Sequence, residues 1–187
     1  MITVTIDSPR PDLARDLAPD WDDLVARASS NVFMNPAALA AADETRFADI
    51  RVLLAWIEEG GRRRLSGLWA LQLKRFAPLW PAVLEALPYN YAFLSSPVVD
   101  PAHADETFAA FLGAIEGSPL PKVLNLPSLD AEGPGYQALC KALAARGAAP
   151  LVLAEHARPY ITREFGAKKS GSTRKKLRQD FNRLGAL

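Results

Sequence analysis

Few residues in this chain have the type and spacing for chemistry, and most of them also have an ordinary structural use. His103 stands just before Asp105 and Glu106, a histidine with acids to orient it, but helix entries favour acids for capping. His156 lies between Glu155 and Arg158 at a strand exit, where a general base would lack a nucleophile or an orienting partner nearby in sequence. Cys140 falls in mid-helix beside Leu139 and Leu143 and reads as an inert buried thiol. There is no Gly-x-Ser-x-Gly elbow, no zinc-ligand spacing and no Walker loop, so no metal is expected. Trp80, Tyr89, Tyr91 and Phe93 read first as core aromatics of a strand. In their second use Tyr89, Tyr91 and Phe93 line an acceptor groove for a sugar or peptide.

The cationic run near the C-terminus is the clearest anomaly. Lys168 to Arg183 holds seven basic residues against one acid, a charge of +6, which leaves −5 for the rest of a chain whose net charge is +1. Leu177, Phe181 and Leu184 form a narrow apolar stripe at helical spacing. Arg174, Lys175 and Lys176 crowd the first turn of a helix expected over 173–184, where the dipole disfavours positive charge. A solvated face balanced by the acidic body is one reading. The other is an anion site, with Ser170, Ser172 and Thr173 supplying hydroxyls, Gly171 letting the preceding backbone turn its amides inward, and Arg174, Lys175 and Lys176 supplying charge.

The remaining pattern predicts the elements that would carry these groups. Ile2 to Ile6 alternates as a strand. Leu13, Leu17, Trp21 and Leu24 follow helical spacing, with Pro19 dividing a short turn from a main helix starting near Asp20. Asn35 caps a further helix that has Pro36 at its first position. Two strands, residues 50–59 and 62–76, join across Gly60 and Gly61 as a hairpin. A short helix over 80–87 precedes a strand through Tyr89, Tyr91 and Phe93 that ends at Pro97. Then come a helix from Asp105 to Ile115, a strand at Val123 to Leu126, a helix from Tyr136 to Ala145 closed by Gly147, and strands at Leu151 to Leu153 and Tyr160 to Thr162.

Composition bounds the class. The chain has 187 residues, 49% hydrophobic and 23% charged, the balance of a folded domain of ordinary size. No apolar run reaches the roughly 18 residues of a membrane span, and the N-terminus is unlike a secretory signal. One cysteine gives no intrachain disulfide and suits a soluble protein in a reducing cytoplasm. The expected fold is mixed α+β, a largely antiparallel central sheet flanked by helices, with a basic C-terminal helix.

Element order together with local sequence carries a resemblance. Trp21-x-x-Leu24, the Asn31 to Pro36 helix entry, the NYAFLSSPVVD segment and the closing SGSTRKKLRQDFNRLGAL look like FemABX-like GNAT acyltransferase proteins associated with cellulose and exopolysaccharide biosynthesis. The resemblance implies a GNAT-like N-terminal domain over 1–165 and, over 166–187, a basic linker helix leading to a second, catalytic domain or partner chain. It also implies acyl-CoA as cofactor of the full-length family member and direct acyl transfer to an amine. This chain lacks the Gln/Arg-x-x-Gly-x-Gly/Ala turn that holds the CoA pyrophosphate. The corresponding stretch, SSPVVDPAHADE, offers prolines and the carboxylates Asp100, Asp105 and Glu106 instead. The expectation is therefore an accessory half that binds no cofactor itself and shapes the acceptor site. The second expectation is a binding module that recognises a polyanion or protein through the basic helix, with a homo-oligomer open. Nucleic acid is disfavoured, because no aromatics interleave with the cations and the body is acidic.

Overall fold

The structure, a computed structural model, describes residues 1–28, 31–46, 48–87, 94–157 and 171–184. The chain divides into two units, Met1–Pro150 and Leu151–Leu187. The first is a mixed α+β domain. Strand β1 (Ile2–Asp7) leads into helix α1 (Pro11–Arg27), a short 3-10 turn (Val32–Met34) and helix α2 (Pro36–Glu44). Strands β2 (Ile50–Glu59), β3 (Arg62–Lys74), β4 (Val83–Ala86) and β5 (Val98–Val99) follow. After a second 3-10 turn (Pro101–His103) come helix α3 (Ala104–Gly117), strand β6 (Leu124–Asn125) and helix α4 (Pro134–Ala144).

The sheet runs β1-β2-β3-β4-β6, with β5 also on β3. Every pairing is antiparallel except β4 with β6, where Leu84 lies beside Leu124 in parallel. Parallel neighbours need a crossover, and α3 supplies it. Both sheet faces are covered. Val52, Leu54, Leu68 and Ala70 point to α1 and α2, meeting Leu17, Trp21, Leu24 and Leu39. Leu53, Ala55, Trp69 and Leu71 point the other way, to Phe108, Phe111 and Leu112 of α3 and Leu139 of α4. A strand buried on both faces has no polar alternation, which is why β2 and β3 are continuous apolar runs.

Local chemistry explains the element ends. Gly60 and Gly61 take φ of +57° and +77°, the left-handed pair that a two-residue hairpin requires. The Asn35 side chain accepts from the Ala37 amide at 2.9 Å, capping α2 as its sequence indicates. Gly67 has another role. A Cβ there would stand 2.7 Å from Thr107 Cγ2 and 3.1 Å from Phe111 Cζ, so the absent side chain lets α3 lie against the β3 backbone.

Several expectations are corrected. Helix α1 runs through Pro19 without dividing: the ring costs one backbone bond, and the burial of Leu17, Trp21 and Leu24 holds both halves in one line. Residues 83–86 form β4 rather than a helix, because a short run buried on both faces carries no period that separates the two. Of the strand expected through Tyr89, Tyr91 and Phe93 to Pro97, residues 88–93 lie outside the described residues; 94–97 are in no strand, and a separate strand, β5, begins at Val98. Leu151 to Leu153 is in no strand and is exposed, since no described strand pairs with it. Tyr160 to Thr162 lies outside the described residues. In the second unit helix α5 (Gly171–Leu184) starts two residues before its expected first residue.

Candidate functional site

The polar residues of the first unit gather at two places, each created by an irregularity of the sheet. The first is a bulge in β3. Ala55 pairs with Gly67 and Trp56 with Leu65, which leaves Ser66 as the extra residue. Bulges free backbone groups and re-aim side chains, and they recur beside functional sites. Here Ser66 is buried; its hydroxyl donates to the Ala55 carbonyl and accepts from Thr107 Oγ1, both at 3.2 Å. Its carbonyl accepts from the Asp100 amide at 2.8 Å. The bulge thereby joins β3 to the entry of α3.

Arg27, in the last turn of α1, reaches the same node. Nη1 forms an ion pair with the buried Asp100, while Nη2 donates to Asp23 Oδ2 at 2.7 Å and to the Leu65 carbonyl at 3.2 Å. Asp100 Oδ1 accepts from the Ala102 amide at 3.0 Å, capping the 3-10 turn before α3. Around this centre Arg64 contacts Asp23 at 3.4 Å and Glu59 at 3.2 Å, and His103 Nε2 lies 2.9 Å from Glu59 Oε1. The Arg27 hydrogen bond, followed by the charges of Arg27 and Arg64, holds the Asp23 carboxyl below its ordinary value and outweighs its slight burial. Downstream, Lys141 of α4 pairs with Asp105, whose hydrogen bond and charge raise the lysine above its ordinary value.

The second place is the end of the parallel pair. Glu85, buried in β4, accepts at Oε2 from Gln72 Nε2 (2.7 Å) and Lys74 Nζ (2.6 Å), and at Oε1 from Asn125 Nδ2 (2.8 Å). Three strands thus converge on one carboxylate. With three donors on its two oxygens, Glu85 serves as a fastener of β3, β4 and β6 rather than as a free acid or base.

The residues singled out in the sequence fall as follows. His103 is tied to Glu59, as a structural histidine at a helix entry would be, and His156 is exposed. Cys140 is half-buried on α4. Trp80 does not join the core: it is 61% exposed, on the loop between β3 and β4. Tyr89, Tyr91, Phe93 and Ser170 lie outside the described residues. Ser172, Thr173, Arg174, Lys175 and Lys176 all belong to α5, so Gly171 is helical instead of turning the chain ahead of the helix. Lys175 and Lys176 are exposed. Among the described residues no cluster of histidine, cysteine and acids could hold a metal, and no helix is long and apolar enough to cross a membrane.

Sequence reasoning missed the Arg27, Asp100 and Ser66 node and the Glu85 cluster. The second left a signal, a lone acid inside the apolar run Val83 to Leu87. The first left none, because a bulge is set by how two strands register. No family model, curated protein or solved structure matches this chain.

Proposed function

We propose that this chain is the accessory, GNAT-like half of an acyl-CoA-dependent N-acyltransferase, shaping the acceptor side while a catalytic domain or partner chain carries the cofactor. The observation that carries the reading is the parallel pairing of β4 with β6 across α3, at the end of an otherwise antiparallel sheet. A GNAT-like domain implies an antiparallel front sheet followed by a helix and a splayed parallel pair, and this pairing supports that reading. Its accessory character is supported at the α3 entry. A pyrophosphate site there needs free, converging amides and a positive field. Instead Pro101 has no amide proton, Asp100 takes the Ala102 amide for itself, and Asp105 and Glu106 stand in the first turn. Two cations beside it are committed, Arg27 to Asp100 and Asp23 and Lys141 to Asp105.

The test is purification of the natural gene product from its own host, with any bound partner, followed by measurement of CoA release from acetyl-CoA over a panel of amines. Amine-dependent release that falls on deleting residues 1–150, with acetyl-CoA affinity retained, supports the accessory role. Absence of acyl-CoA binding by the natural product overturns it. A second reading, a module that grips a polyanion, is favoured by the exposed Lys175, Lys176 and Arg178 on α5.

A further inference from the structure

The loop between β3 and β4 carries the densest exposed apolar surface of the first unit, and the function proposed above makes no use of it. Phe76 is 54% exposed, Leu79 97% and Trp80 61%, three large apolar side chains within five residues. Burial in the core would be the ordinary fate of each. The loop is nonetheless built. The Trp80 amide donates to the Ala77 carbonyl at 3.0 Å, Arg75 Nη1 donates to the Trp80 carbonyl at 3.2 Å, and Pro78 and Pro81 fix the backbone on either side of Leu79 and Trp80. Little ordering entropy remains to be lost on docking. The exposed Val123 extends the apolar surface, its carbonyl accepting from the Leu84 amide at 2.9 Å at the base of the loop.

Charge selects the occupant. From Lys74 to Leu84 there are two cations and no carboxylate, and Lys74 lies over the Phe76 ring at 4.8 Å. The neighbouring acids are already taken, Glu85 by Lys74, Gln72 and Asn125 and Asp49 by Arg51. Three side chains on a projecting turn fall well short of the roughly 800 Å² per partner that a stable protein interface buries, which disfavours a second copy. A tryptophan and a leucine on one turn, with Arg75 at its base in no ion pair among the described residues, match a bilayer interface, where the indole sits at headgroup level and the guanidinium meets anionic lipid.

We infer that the loop Arg75 to Pro81 is a shallow anchor that seats this domain on an anionic membrane surface, with Leu79 and Trp80 entering the headgroup region. The anchor is independent of the acyltransferase reading. The test uses the whole chain and vesicles of phosphatidylcholine with about 30% phosphatidylglycerol, some carrying brominated acyl chains that quench nearby indoles. Expected are cosedimentation with the anionic vesicles and quenching of tryptophan emission. Trp80→Phe should abolish the quenching, because Trp21 and Trp69 are buried and Trp56 is half-buried with Arg63 over its ring at 4.2 Å. Leu79→Asp with Trp80→Asp should lower the bound fraction at least about tenfold, with an unchanged circular dichroism spectrum. Lys175→Glu with Lys176→Glu, which weakens the cationic helix instead, should leave the quenching in place. The assignment is overturned if anionic vesicles fail to quench Trp80, if the Leu79 and Trp80 double variant sediments like the wild type, or if the helix variant alone abolishes quenching.

Discussion

Replacing Glu85 by methionine should unfold the domain from the end of its parallel strand pair, by an amount that follows from the fate of its three donors. Methionine fills nearly the same volume, so the cavity contribution is small. Gln72 Nε2 is buried and loses its 2.7 Å acceptor, keeping only a 3.5 Å contact with the Ala86 carbonyl. A buried donor left without a partner costs about 1–3 kcal/mol. Asn125 Nδ2 is half-buried and should lie near the lower end of that range. Lys74 is 38% exposed and can turn to water, so its share is at most about 1 kcal/mol. The total is about 3 kcal/mol, which for a chain of this size lowers the melting temperature by about 10 °C. Urea titration followed by circular dichroism measures it. Lys74→Met should cost less than about 1 kcal/mol. Adding Gln72→Met to Glu85→Met should recover part of the loss, since removing both partners leaves fewer unmet donors. A loss below about 1 kcal/mol for Glu85→Met, or an equal loss for Lys74→Met, would refute this account of the cluster.

Three further outcomes are expected. Gly67→Ala should destabilise by about 1–3 kcal/mol in the same titration, because the new methyl meets Thr107 and Phe111 at contacts too short to keep. Asp23, with its folded pKa below the unfolded value, contributes stability that is present above the unfolded value of 3.8 and is lost as pH falls through the folded one. Asp23→Asn should therefore weaken the domain at neutral pH, and urea midpoints of variant and wild type should converge as pH falls below 3.8 and through the folded pKa. If the start of α5 is an anion site, sulfate should raise the melting temperature more than chloride at equal ionic strength, and Arg174→Glu with Lys175→Glu should remove the excess. An equal sulfate response in both proteins would make those charges a solvated face.

The parts of the fold legible in the sequence are those where one residue type does a job few others can. Gly60 and Gly61 mark the hairpin because the turn demands left-handed backbone, and Asn35 with Pro36 marks a helix start because a side-chain oxygen there replaces a missing carbonyl. The parts that were not legible depend on partners distant in the chain. Val83 to Ala86 is a strand only because β3 and β6 flank it, and Ser66 becomes a bulge only through the register of β2 and β3. Arg27 and Asp100 look like ordinary surface charges until α1 packs beside β5 on one face of the sheet. A helix at the cationic run was legible, and α5 forms there, but it begins at Gly171, which moves Lys175 and Lys176 out of its first turn. The exposure of Trp80 was not, because an aromatic ahead of a buried strand reads as core until the loop that lifts it out is seen.

The central claim, that this domain leaves the cofactor to another part of the assembly, is tested most directly by calorimetric titration of acetyl-CoA into the 187-residue chain and into the natural gene product with any partner. Saturable binding by the natural product, with no saturable heat from the chain, is the predicted result. Binding to the chain alone at about micromolar affinity, near −8 kcal/mol, and lost on altering Asp100 to Glu106, would contradict it and place the cofactor in this domain.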